Sequence, residues 1–145
     1  MLTNGTNYTF DDLLTIAKGQ VALEEMYQKK VSENETSNLL FVDTDMYVMK
    51  VWCEFFFGKC HPFILDRIAK QQTDLYLLCN VDLPWVKDKL REYPDLKTRE
   101  ELFHIYHNML TNQAVPFEII SGTNEERLRA AITAVDIFMA SPKKG

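Results

Sequence analysis

The sequence predicts an α/β fold, a parallel β-sheet flanked by helices, and two observations carry the prediction. Short apolar runs alternate with amphipathic stretches of helical length, in the order helix, strand and helices, strand and helices, strand and helix. The runs at 39–42, 75–79 and 117–120 are almost continuously apolar. That pattern suits strands covered on both faces, as βαβ crossovers produce. A chain of 145 residues, 46% hydrophobic and 26% charged, is long enough to bury a core, and one domain is expected over 1–145.

The first helix follows from Thr9, placed to cap it, and from Asp11 and Asp12, which put negative charge in its first turn. Phe10, Leu13, Leu14, Ala17 and Val21 recur at helical spacing, and the helix is expected to end near Lys30 with Glu24 and Glu25 on its wet side. Residues 32–37 read as a polar loop. The strand at 39–42 ends at Asp43. Residues 46–57 read as an unusually apolar helix stopped by Gly58. His61-Pro62 opens the next helix, with Ile64, Leu65, Ile68 and Ala69 on one face.

The strand at 75–79 ends at Asn80 and Asp82. Pro84 begins a short turn, and 86–98 reads as a lid-like loop. The helix at 99–110 turns Leu102, Phe103, Tyr106 and Leu110 inward. The strand at 117–120 leads through Ser121-Gly122-Thr123 to a last helix capped by Thr123 or Asn124. Its expected buried stripe is Leu128, Ala131, Ile132, Val135 and Phe138. Three strands are few for such a sheet, so apolar surface is expected to need further cover, and a second copy in a homodimer could complete the sheet.

Composition narrows the function. A formal net charge of −5 argues against a general nucleic-acid binder, which needs a basic footprint. Cys53, Cys60 and Cys79 are odd in number and lack C-x-x-C spacing, which points to reduced thiols and a cytoplasmic protein. No apolar run reaches membrane-spanning length, so no membrane partner is expected.

Ligands of open parallel sheets bind beyond the carboxyl ends of the strands. Polar residues stand there in each run: Asp43 and Asp45, Asn80 and Asp82, Ser121 and Thr123. Asp43-Thr44-Asp45 suits Mg²⁺, which needs only one or two carboxylates besides water and phosphate oxygens. Asp43 is the better metal candidate, and Asp45 could reach the metal or a substrate hydroxyl. Alternatively, Asp43 caps the following helix and Asp45 lies in its first turn. Arg91, and next Arg99, could stabilise a transferring phosphoryl group from the lid, although mixed charge runs are commonly solvated surface. Trp52, Phe55, Phe56, Phe57 and Trp85 could sandwich a flat ring or simply fill a core. His104 and His107 stand three apart without a metal motif. No Gly-x-x-x-x-Gly-Lys-Ser/Thr is present, and none of the five glycines builds a phosphate loop.

Taken together, residues 8–20, Leu40-Phe-Val-Asp-Thr-Asp45, Lys50-Val-Trp-Cys-Glu54, Gly58-Lys59-Cys-His-Pro62, Asp74-Leu-Tyr-Leu-Leu-Cys79, Pro84-Trp85 and Leu90-Arg91 resemble the nicotinamide riboside kinase domain of NadR-type proteins. The resemblance runs from about Tyr8 to Phe138. It implies a P-loop nucleoside/nucleotide kinase-like fold missing its N-terminal strand and P-loop, roughly 40 residues by the length such βα units require. It also implies phosphorylation of a nucleoside by ATP with Mg²⁺, in NAD salvage. Asp43 and Asp45 match the family's acidic strand end, and Trp85, Asp88 and Arg91 match its lid. Trp52, Phe56 and Trp85 are the candidates for holding the cationic pyridinium. Lys89 departs from a lid position where relatives often carry glycine. Without the phosphate loop, this chain is expected to bind ATP poorly and turn over little. A non-enzymatic, degenerate module that binds nucleotide or protein is the alternative.

Overall fold

The structure, a computed structural model, describes residues 8–33, 39–82 and 96–140. The chain divides into two compact units, Met1–Gln71 and Gln72–Gly145. The first is built from helices. Helix α1 (Phe10–Glu33) starts at a reciprocal cap. Thr9 Oγ1 accepts the Asp12 N–H at 3.0 Å, and Asp12 Oδ2 accepts the Thr9 N–H at 2.9 Å. Leu13, Ala17 and Val21 are its buried residues, spaced one turn apart. The helix extends past Lys30 to Glu33.

Helix α2 (Met46–Phe57) buries Met46, Met49, Val51 and Cys53. Gly58 ends it in the left-handed region, at φ 69°, and its N–H returns to the Glu54 carbonyl. Helix α3 (Pro62–Lys70) has its proline in the first turn, where the missing N–H costs nothing. His61 fixes the start of α3 to the start of α1. Its Nε2 donates to the Phe10 carbonyl at 2.7 Å, and its ring stacks on Phe10 at 3.7 Å. Leu13, Ala17, Val21, Met46, Met49, Cys53 and Ile64 form the resulting core, with Trp52, Phe57 and Phe63 packed around it.

In the second unit, strands β1 (Tyr76–Cys79) and β2 (Phe117–Ile120) pair in parallel, with Tyr76 opposite Phe117 and Cys79 opposite Ile120. Parallel neighbours need a crossover, and helix α4 (Leu96–Thr111) lies within it. Helix α5 (Asn124–Ala140) follows β2. Thr123 Oγ1 accepts the Glu126 N–H at 3.3 Å, and Glu126 Oε1 accepts the Thr123 N–H at 2.8 Å. Thr123, not Asn124, is therefore the cap.

The sequence expectations need correction in four places. Residues 39–42 form no strand. Leu39, Leu40, Phe41 and Val42 are exposed, Phe41 to 69%. An apolar run makes a strand only when a neighbour supplies the ladder, and the sheet among the described residues has two strands, β1 and β2. No residue of α5 is buried, and Leu128 and Ile132 stand out in solvent. Ala131, Val135 and Phe138 of the expected stripe are half-buried, and Arg127, Ala130 and Ala134 join them in place of Leu128 and Ile132. Residues 96–98 are helical, not lid, and Leu65 of α3 is exposed. The remainder of the expected lid lies outside the described residues, as does Pro84. No helix among the described residues is long and apolar enough to cross a membrane.

Candidate functional site

In the first unit, α1 and the segment entering α2 border a cleft of about 290 Å³. Gln20, Leu23, Glu24 and Tyr27 line it from α1 at i, i+3, i+4 and i+7, and residues 40–44 line it from the other side. Asp43 is exposed at this cleft and makes no hydrogen bond or ion pair among the described residues. Asp45 has a different job. It is the N-cap of α2, its Oδ1 accepting the Val48 N–H at 3.1 Å. Burial pushes the Asp45 carboxyl above the usual range, against the hydrogen bonds from the Val48 and Tyr47 amides that favour its ionised form. The acidic pair thus divides into one structural carboxylate and one open to the cleft.

Glu24 was not among the expected site residues, because its charge suggests solvent. It is half-buried, and Gln20 Nε2 donates to its Oε2 at 3.1 Å. Burial raises its carboxyl, and the charge of Asp45 adds to that rise. The signal available in the sequence is the Gln20/Glu24/Tyr27 stripe, which has the same helical period as the core face. Trp52 and Phe56 stand one turn apart on α2, both half-buried, with ring centroids 5.4 Å apart. They do not line the Asp43 cleft. Trp85, Asp88 and Arg91 lie outside the described residues.

In the second unit, the polar ends of β1 and β2 converge, whereas Asp43 and Asp45 end no strand. Asn80 Nδ2 donates to Ser121 Oγ at 3.2 Å, and Asp82 Oδ2 accepts the Gly122 N–H at 2.7 Å. Arg127 closes the group. It donates to the carbonyls of Asn80 at 2.6 Å, Gly122 at 3.0 Å and Ile120 at 3.3 Å, and to the Asp82 carboxylate. The Gly122 N–H, then the Arg127 guanidinium, holds the Asp82 carboxyl below the usual range. These polar groups satisfy one another, so the cluster fastens β1, β2 and α5 together. Arg127 escaped the sequence reading. Its signal is a cation one turn into a helix, where the macrodipole disfavours positive charge.

Arg99 stands in the first turn of α4. It lines a pocket of about 220 Å³ together with Leu78, Cys79, Val81, Leu102, Phe103 and Tyr106. Its Nη1 is buried without a hydrogen-bond partner among the described residues. His107 packs against Phe103 and Phe117, with centroids 6.0 and 5.7 Å away. Among the described residues, no His, Cys, Asp and Glu side chains gather into a three-ligand metal site.

A family model described as an AAA domain matches residues 2–127. The trifunctional NAD biosynthesis/regulator protein NadR of Escherichia coli strain K12 is 30% identical over 81 residues, which cover 56% of this chain and 20% of that protein. The protein of the same name from Salmonella typhimurium strain LT2 is 28% identical over the same shares. The chain thus matches about a fifth of the length of these curated relatives. No solved structure matches.

Proposed function

The chain belongs to the AAA domain family, whose model covers residues 2–127, and from that premise we propose that it forms the acceptor side of an ATP-dependent nucleoside kinase. The acceptor in this reading is nicotinamide riboside, phosphorylated on its 5′-hydroxyl. The likeness to the NadR proteins and the NAD biosynthesis in their name support the choice.

One observation carries the reading. Asp43 is open to the cleft beside α1, while its neighbour Asp45 is committed to capping α2. A phosphoryl-transfer site needs a carboxylate able to face the acceptor hydroxyl or a hydrated cation. A single exposed carboxylate fits Mg²⁺, which retains much of its water shell. Asp43 would hold that ion, which neutralises charge on the phosphate oxygens. Asp45 orients the start of α2 and keeps Asp43 at the cleft. Arg91 is assigned to the charge on the transferred phosphoryl group. Trp52, Phe56 and Trp85 are assigned to the cationic pyridinium ring, and Asp88 to the same substrate.

The test is formation of nicotinamide mononucleotide from nicotinamide riboside, ATP and Mg²⁺. Product above that of an Asp43→Asn control supports the kinase. Nucleotide binding without turnover, equal in the control, defeats the catalytic assignment. A second reading is favoured by one observation, the exposure of Phe41 and its apolar neighbours at 39–42. In that reading a second copy of the chain covers this segment, and the module binds rather than catalyses.

A further inference from the structure

We propose that Cys53 and Cys60 form a reversible disulfide site, closed by exchange with a low-molecular-weight disulfide, that fastens α2 to the start of α3. The ground is the way the chain turns between the two helices. Cys53 lies in α2, Gly58 ends that helix in the left-handed region, and Cys60 follows two residues later. The reversal returns Cys60 to Cys53 although the pair lacks C-x-x-C spacing. Cys60 packs against the core cluster that contains Cys53, and the two thiols hydrogen-bond to each other. Both also converge on His61. Its N–H hydrogen-bonds Cys53, and its carbonyl oxygen stands 3.7 Å from Cys60 Sγ. His61 is held in turn by the Phe10 carbonyl, so the backbone that presents Cys60 is anchored. Thiols in hydrogen-bonding contact need only a small side-chain rotation to reach the ~2.05 Å sulfur–sulfur bond.

Unequal access fixes the order of events. Cys53 is 0% exposed, whereas Cys60 is half-buried and is the point of entry. The Cys60 thiolate attacks one sulfur of oxidised glutathione. The glutathione S–S bond breaks, and one glutathione leaves as a thiolate that takes up a proton. The Cys53 thiolate then attacks Cys60 Sγ in the mixed disulfide and expels the second glutathione, which takes up the other proton. Two protein thiols are oxidised to one disulfide, and one oxidised glutathione is reduced to two thiols. Cys53 needs no path to solvent, because Cys60 carries the bond to it. Burial, and then the neighbouring Cys53, pushes the Cys60 thiol up to about 12; Glu54 adds to the rise and Lys50 opposes it. Closure is therefore slow at neutral pH and gains about tenfold per pH unit on the alkaline side. This site needs neither ATP nor Asp43, and it stands or falls independently of the kinase reading.

The test equilibrates the full chain with mixtures of reduced and oxidised glutathione at about pH 9, where thiolate is more abundant. The sample is quenched in acid, alkylated and digested with trypsin. Cleavage after Lys50, Lys59 and Arg67 leaves Cys53, Cys60 and Cys79 on separate peptides, so each pairing has its own mass. The joined peptides 51–59 and 60–67 are expected as the main oxidised product. Closure should be at least ~100-fold more favourable in the folded chain than in urea, because the fold holds together thiols that a flexible loop brings together only rarely. Cys53→Ser should leave Cys60 as its glutathione adduct, and Cys60→Ser should leave Cys53 as a free thiol. Should either variant not fold, the comparison of folded and urea-unfolded chain decides. Equal closure with and without urea overturns the proposal. So does a folded chain in which the Cys60 adduct predominates, or in which the exposed Cys79 is the partner.

Discussion

Arg127, one turn into α5, donates to the carboxylate of Asp82 beyond the end of β1, across 45 positions of sequence. The same guanidinium satisfies the carbonyls of Asn80, Ile120 and Gly122. One side chain therefore ties the carboxyl ends of both strands to the helix that follows them. Arg127→Met keeps the aliphatic stem and removes these donors. The expected loss is about 2 kcal/mol from the unpaired carbonyls, read as a lower urea midpoint at unchanged slope. Asp82→Asn should cost less, because an amide oxygen still accepts the Gly122 N–H. A larger loss in Asp82→Asn than in Arg127→Met would show that the carbonyl contacts contribute little.

Asp45 and Glu24 in the first unit are shifted opposite to Asp82 and Glu126 in the second, and this sets a pH profile. In the second unit, Asp82 is held down by the Gly122 N–H and then by Arg127, and Glu126 by the Thr123 backbone and hydroxyl. A depressed folded value contributes stability above the unfolded value, about 4, that is lost as pH falls through the folded one. In the first unit, burial raises Asp45 and Glu24. Their folded forms prefer the proton, so stability is gained as pH falls through their folded values and lost as it rises through them. Urea midpoints are expected to rise on mild acidification from neutral pH and to fall below about pH 4. Asp45→Asn with Glu24→Gln should flatten the rise, and Asp82→Asn with Glu126→Gln should reduce the fall. A profile unaltered by both pairs would refute the assignment.

The helices were legible because their signals are local. Thr9 and Thr123 cap, Gly58 stops, and the Leu13/Ala17/Val21 period marks a buried face that the structure reproduces. Strand β2 was legible for the same reason, as a short apolar run between turns. What failed depends on a partner. The run at 39–42 has strand composition, but composition cannot supply a neighbouring ladder. Leu128 and Ile132 have the right period, yet period identifies a face that can be buried, not the surface that buries it. At the site, Asp43-Thr44-Asp45 was visible as a pair. The division of labour within it was not: the cap expected from the sequence was Asp43, and the Val48 contact gives that role to Asp45.

Two glycines with positive φ should respond differently to alanine. Gly58 sits at φ 69°, and a Cβ there would meet nothing within 4 Å. Gly58→Ala is expected to cost only the left-handed backbone penalty, about 1 kcal/mol. Gly122 sits at φ 103°, and a Cβ there would lie 2.9 Å from both Cβ and Oε1 of Glu126. Gly122→Ala must therefore also displace the Glu126 half of the Thr123 cap, and should cost at least about 2 kcal/mol. Equal losses in the two variants would mean that Glu126 moves aside freely and that the cap contributes little.

Stability and activity should separate cleanly at the two aspartates. Asp45 caps α2, and asparagine caps about as well as aspartate. Asp45→Asn should hold or raise stability at neutral pH, because it removes a carboxylate that burial disfavours, whereas Asp45→Ala should lose about 1 kcal/mol. Asp43 is exposed and makes no hydrogen bond or ion pair among the described residues, so Asp43→Asn should leave the urea midpoint unchanged. If Asp43 faces the acceptor hydroxyl, the same change lowers nucleoside phosphorylation by about 10² to 10⁴. A thermal or urea midpoint measured beside product formation on the same preparations distinguishes the roles. An Asp43→Asn protein that is destabilised, or that retains full activity while Asp45→Asn loses it, would reverse the assignment of the pair.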